Sequence, residues 1–444
     1  MRRIIILALL LGGVRLVLPL GTGTSSAHSL LTFGFLILAA YTSGEVAVSF
    51  RMPRIVGYLV AGVLFGPSAL DIVNVEATQE LAPVSSLAIA LIAFLAGAEL
   101  RWGELRERGR AIALILTSEL GLTFLALAAL LIGLRNHVPF LQGTPTPTMI
   151  GFSLLFASIA VVHSPAVTMA LLTETGARGP VARTTLGVVL VSDVVVIMLF
   201  SAVLAVARAL VPPTTGDVAA ISLGSVVWEL GGAVVVGSIL GAAVALYLRF
   251  VKRELMLFAV LVTFFGSEIA RLVHVETLLT LLTAGFVMEN ISRDDDGDAL
   301  RHAMERSGAP VFVVFFALAG AGMAVKDVVA IWPLVVPIVL VRAAGIWMGS
   351  RLGARWARVP AQTGNLVWMG LISQAGVAIG LATVIAEVYP TRGAPIRTLF
   401  LATLAVNQIV GPILFRMALS KGGELGEGGA PEPTAATTTA VAST

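Results

Sequence analysis

The sequence predicts an all-α polytopic membrane protein of about 13 transmembrane helices, and three observations carry that reading. Of 444 residues 57% are hydrophobic and only 12% are Asp, Glu, Lys or Arg, roughly half the charge of an ordinary soluble domain. Thirteen apolar runs follow one another, divided by Pro, Gly or charge, and a hydrocarbon core about 30 Å thick asks for about 20 residues each. The runs are apolar on every side, as in Val188 to Leu204, whereas the strands of a transmembrane barrel alternate apolar and polar residues.

In order the runs cover 29–49, 53–70, 84–100, 111–133, 148–172, 181–209, 223–249, 255–273, 276–290, 309–325, 328–350, 364–388 and 395–418. Arg51 and Arg54 mark the first boundary, Arg101 to Arg110 the third, Arg178 and Arg183 the fifth, and Arg351 to Arg358 the eleventh. If the residue 29 end lies outside, the inside loops hold 19 Lys and Arg and the outside loops six. The positive-inside rule therefore places the C-terminus of this multi-pass membrane protein in the cytoplasm.

Residues 1–27 carry Arg2 and Arg3, an apolar Ile4 to Leu11 and small residues at Thr24 to Ala27. That is the pattern of a signal peptide, with an extra N-terminal span as the alternative. Residues 28–418 form one transmembrane domain. The Gly, Pro, Ala and Thr of 419–444 have no apolar periodicity and are expected to be a disordered cytoplasmic tail.

Several function classes drop out. The net charge of +3 is scattered over short loops and says nothing in favour of nucleic acid. With no cysteine, thiol catalysis and cysteine metal sites are excluded. Phosphate-binding loops and the H-E-x-x-H pattern are absent, so neither a nucleotide-binding domain nor a cofactor is expected, and the chain reads as a secondary transporter rather than an enzyme.

Ionisable groups at membrane depth cost at least about 2.5–3.5 kcal/mol, so each is a functional candidate. Glu45, Glu99, Glu268, His274, Glu289 and Glu387 lie within a turn or two of a predicted helix end, where water reaches them. Asp193 does not: it sits mid-span between Val188–Val191 and Val194–Phe200, and is read as the only mid-span carboxylate of this quality. Its oxygens suit both a proton and a hard cation. His163, Ser164 and Pro165 interrupt the fifth run, because Pro165 lacks an amide proton and disfavours helix at Ser164. Ser373, Gln374 and Gly376 mark a weaker break in the twelfth. Arg342, in the eleventh, needs a partner.

Runs five and twelve are the fourth members of two five-helix sets, two to six and nine to thirteen. An odd offset of seven helices makes the sets run oppositely across the membrane. Paired interruptions in an inverted repeat point to a transporter site.

Residues 51–67, RMPRIVGYLVAGVLFGP, with 93–100, AFLAGAEL, 282–290, LTAGFVMEN, and 315–320, FFALAG, are similar to ordered signatures of the monovalent cation:proton antiporters. This is the sodium/hydrogen exchanger-type membrane domain, and the likeness, over about 30–418, is nearer its second, bacterial branch. The resemblance implies a homodimer in the lipid bilayer, with a dimer domain and a mobile core domain, and two interrupted helices that cross at the ion site. It matches His163-Ser164-Pro165 to the break of helix five, Ser192-Asp193 to the acidic pair of helix six, and Arg342 to a basic residue of helix eleven. Ser192 departs from the pattern, leaving one carboxylate, and His163 stands where Thr is common.

The expected activity is therefore exchange of Na+ or K+ for H+, electroneutral, in a role such as pH homeostasis. Asp193 binds either ion, aided by Ser192 and Ser164, and His163 is a possible further titrating site. Arg342 either offsets the Asp193 charge, the favoured reading, or pairs with a carbonyl-rich helix end. A sodium-coupled symporter of organic anions, with Arg342 as anion contact, and a channel or transport-dead protein are the alternatives.

Overall fold

The computed structural model describes residues 25–211, 223–250, 255–292, 310–323, 325–374 and 377–426. Lipid offers no partner to backbone N–H and C=O groups, so each apolar run closes its own hydrogen bonds as a helix. In chain order these are α1 Ser25–Ser49, α2 Arg54–Phe65, α3 Ala82–Ala98, α4 Trp102–Gly133, α5a Thr146–Ala160 and α5b Pro165–Thr175. There follow α6 Pro180–Leu210, α7 Leu223–Phe250, α8 Leu255–Leu272, α9 Thr277–Ile291, α10 Pro310–Ala321, α11 Trp332–Trp356, α12 Val377–Val388 and α13 Pro390–Gly422. Among the described residues 7 helices are long and apolar enough to cross a bilayer, and shorter apolar helices, α2, α3, α9, α10 and α12, stand between them.

Both expected interruptions are present. The fifth run leaves helix at Val161–Ser164. In the twelfth, a 3-10 turn at Val367–Gly370 gives way to non-helical backbone at Leu371–Gln374 before α12. Gly376, the third residue expected at this break, lies outside the described residues.

The helices gather into two groups. In one, α1 packs on α2, and α9 on α3 and α7; in the other, α4 packs on α11 and α5a, α6 on α5a, and α12 on α13. Each group has its own buried apolar cluster, with Phe94, Leu281 and Phe316 in the first and Phe156, Ile346 and Phe400 in the second. Small residues allow the closest approaches. A Cβ added at Gly349 of α11 would lie 2.5 Å from the Cα of Glu119, and one at Gly353 2.3 Å from the Leu114 carbonyl oxygen. This contact seats α4 on the helix that carries Arg342. At the α3–α9 crossing, Cβ atoms at Gly97 and Gly285 would each come within 2.0 Å of a backbone oxygen.

At the N-terminal end, residues 1–24 of the expected signal segment lie outside the described residues, and Ser25 to Ala27 begin α1. At the other end the expected tail starts too early. Helix α13 continues to Gly422, and Glu424 accepts hydrogen bonds from the amides of Val181 (2.6 Å) and Ala182 (2.8 Å). A carboxylate there satisfies free N–H groups at the start of α6, so residues 419–426 are built into the membrane domain. Residues 427–444 lie outside the described residues.

Candidate functional site

The two breaks meet. At the first, Ser164 is extended (φ −119°, ψ 103°), as the residue before a proline prefers to be, and its hydroxyl accepts from the Val167 amide at 3.2 Å, capping α5b. Broken helices leave carbonyls without amides, and at membrane depth each one needs another donor. Arg342 supplies them. Its Nε donates to Ala160 O (2.7 Å), Nη1 to Ile372 O (2.7 Å), and Nη2 to Val162 O (2.9 Å). Gln374 donates to the same Ala160 oxygen (2.7 Å) and accepts from Asn407 of α13 (2.8 Å).

Of the two readings of Arg342 from sequence, the hydrogen bonds are those of the second, pairing with carbonyl-rich helix ends, and among the described residues it makes no hydrogen bond or ion pair with Asp193. Buried to 1% exposure, with its guanidinium spent on carbonyls, it is also not free to contact an organic anion.

Asp193 lies beside this crossing, on the seam between the two helix groups. A cavity of about 40 Å3 is lined by Asp193, His163, Ser164, Pro165 and Ala166 on one side. On the other stand apolar residues of α3, α9 and α10, among them Ile92, Leu282 and Phe315. That is room for a water or two, or for a small ion. Asp193 Oδ1 is buried and has no hydrogen-bond partner among the described residues. Ile89 and Leu278 also belong to a wide funnel of about 920 Å3 in which Glu229, Glu268, Glu276 and Arg271 stand. The funnel is lined by the helix ends around Ala82, Glu229, Arg271 and Glu276, which the Lys and Arg count expects outside.

The remaining predicted residues separate. Ser192 is buried, but its hydroxyl donates to Val189 O of its own helix (2.6 Å) and it is not in the cavity wall, so its expected place in an oxygen shell is not met. Ser373 is buried in the second break against Gly411, with its hydroxyl unpartnered among the described residues, and it too is away from the cavity. His163 reaches both breaks: Nδ1 is 2.7 Å from Leu371 O, and Nε2 is 3.0 Å from Glu119 Oε2.

Glu119 corrects the expectation that Asp193 is the only mid-span carboxylate. It is 0% exposed in the middle of α4. Its signal was available, since apolar residues flank it within the predicted run 111–133 just as they flank Asp193.

Broken helices crossed in an inverted repeat, with a lone carboxylate on the seam beside them, agree with the comparisons to known proteins. The model of the family described as sodium/hydrogen exchanger, transmembrane, matches residues 22–421. The chain belongs to the sodium/hydrogen exchanger family. This exchanger-family chain is 21% identical to the probable Na+/H+ antiporter GerT of Bacillus cereus over 354 residues, 78% of this chain and 88% of that one. To the high-affinity Na+/H+ antiporter NhaS3 of Synechocystis sp. it is 25% identical over 320 residues, 65% and 67% of the two chains. The solved structure of the sodium proton antiporter MjNhaP1 from Methanocaldococcus jannaschii at pH 8 has the same fold, with a TM-score of 0.66 at 16% identity. That match covers 90% of this chain and 100% of the other.

Proposed function

We propose that the protein exchanges a monovalent alkali cation, Na+ or K+, for H+ across the membrane, with Asp193 as the site the two ions share. The observation that carries this reading is the buried, unpartnered Oδ1 of Asp193 beside a small cavity on the seam between two helix groups. An ionised carboxylate there has one oxygen that has lost its water and received no donor in return. A proton cancels its charge by making the neutral acid. An alkali cation does so through oxygen contacts, to which the Ser164 hydroxyl on the same cavity wall can add one.

Coupling follows from charge. One carboxylate holds a proton or a cation and not both, so each displaces the other. Either load brings the site to zero, whereas the empty site keeps its negative charge beside apolar walls and is held back from crossing by a cost of at least about 2.5–3.5 kcal/mol. Exchange is then one cation for one proton and carries no net charge. The acidic groups of the funnel raise the local cation concentration at its mouth. The likeness to the antiporter family and the distribution of Lys and Arg support a homodimer in a bacterial plasma membrane with its C-terminus inside.

The test is proton flux in proteoliposomes under an imposed pH gradient, with sodium, potassium or lithium added in turn and the voltage clamped or free. Cation-triggered collapse of the gradient, insensitive to voltage and lost in Asp193→Asn, is the expected result. Exchange that survives in Asp193→Asn overturns the assignment, and a response that follows the clamped voltage overturns the 1:1 ratio.

A further inference from the structure

Glu119 has no part in the exchange just described, yet it is bound on every side. Its Oε1 accepts from the Thr123 hydroxyl one turn along α4 (3.2 Å), and its Oε2 meets His163 Nε2. At the other ring nitrogen stands the Leu371 carbonyl, which has no hydrogen to give, so Nδ1 carries one. Nε2 and Oε2 then have a single proton between them. With none, two lone pairs would face each other; with two, two donors would. Held on the ring or on the carboxyl, that proton leaves the pair with zero net charge. The charged groups facing the pair are Arg342 from α11 and Asp193 from α6 across the cavity, while the break before α12 and helix α13 contribute the neutral Gln374 and Asn407.

We propose that Glu119 is a positioning residue for exchange: it locks the His163 ring against the break of the twelfth run, so that the cavity wall beside Asp193 keeps its shape. The inference rests on the assignment of Asp193. Helix α4 contributes no residue to the cavity wall, and it acts there through the ring alone. Pinned at both nitrogens, His163 is not free to ligate the transported cation.

The test is a pair of variants of the full chain in proteoliposomes. In Glu119→Gln the amide can donate to Nε2 and accept from Thr123, so the ring stays in place. Exchange should continue with the wild-type pH profile and an apparent cation KM within about twofold, a shift below 0.5 kcal/mol by the relation of affinity to free energy. In Glu119→Leu the Nε2 position is orphaned, and the apparent cation KM should rise about tenfold. A displaced pH profile in Glu119→Gln would mean that the carboxyl itself carries the exchanged proton, and wild-type exchange in Glu119→Leu would mean that the contact is idle; either result overturns the proposal.

Melting of the detergent-solubilised protein gives a second readout that holds even where transport is lost. In the Asp193→Asn background, Glu119→Leu and His163→Leu together should lower the midpoint no more than the worse of the two alone, because they remove one shared interaction. Additive losses overturn the pairing. The failure of Asp193 as the ion site would appear separately, as exchange retained in Asp193→Asn.

Discussion

Two carboxylates stand mid-way along apolar helices of this protein, and they are treated in opposite ways. Glu119 of α4 is wholly buried, with Thr123 on one oxygen and His163 on the other. Asp193 of α6 keeps a buried oxygen that no described residue bonds. The same division runs through their surroundings. Around Glu119 backbone carbonyls of the two breaks are taken up by Arg342, Gln374 and His163, whereas Asp193 faces the walls of an apolar cavity. Polar groups that are satisfied hold the crossing together; an unsatisfied carboxylate is where a proton or a cation gains most by binding.

Several substitutions break or sharpen this contrast. The largest effect on transport is expected at Asp193: changing it to Asn should abolish cation-driven proton flux while leaving the melting temperature unchanged or higher, because no hydrogen bond is lost. Arg342→Ala should do the reverse of what charge compensation predicts. Orphaned carbonyls at Val162 and Ile372 each cost about 1–3 kcal/mol, while Gln374 still covers Ala160 O, so the yield of folded protein in detergent should fall sharply before any pH profile can shift. Lys at 342 should rescue poorly, since a single ammonium does not span three carbonyls as a planar fork does.

Gly285→Ala tests the apolar side of the contrast. Its Cβ would meet the Phe94 carbonyl at 2.0 Å, prising α9 from α3 directly behind the cavity wall. Such overpacking costs about 1–3 kcal/mol and should lower both exchange rate and melting temperature. Gln374→Ala is the mildest, because Arg342 still covers Ala160 O; a loss of about 1–2 kcal/mol in thermal unfolding, with exchange retained, is expected.

Much of this was legible before any coordinates. The apolar runs, the Pro165 break, the weaker break at Ser373 and Gln374, and the depth of Asp193 all follow from local chemistry: apolar length, a missing amide proton, a charge without neighbours. The rest was of three kinds. Glu119 has the same sequence signal as Asp193, a carboxylate among the apolar residues of one run. The role of Arg342 could not be read, because its partners lie 180, 182 and 30 residues away, at Val162, Ala160 and Ile372. Ser192 failed differently: adjacency to Asp193 suggested a shared site, but neighbouring residues on a helix point about 100° apart, and its hydroxyl turned back to Val189.

The sequence by itself determined the class of the molecule, the number and order of its apolar helices, the positions of both breaks and the family signatures, since each is set by residues within a turn or two of one another. The tertiary structure alone decided which polar groups are spent and which remain free. Two broken helices far apart in sequence present their carbonyls to one guanidinium and one imidazole, and a carboxylate is left facing an apolar seam. Whether a buried polar group holds the fold together or binds an ion depends on which donors and acceptors the packed helices bring within about 3 Å of it, and a linear sequence does not carry those distances.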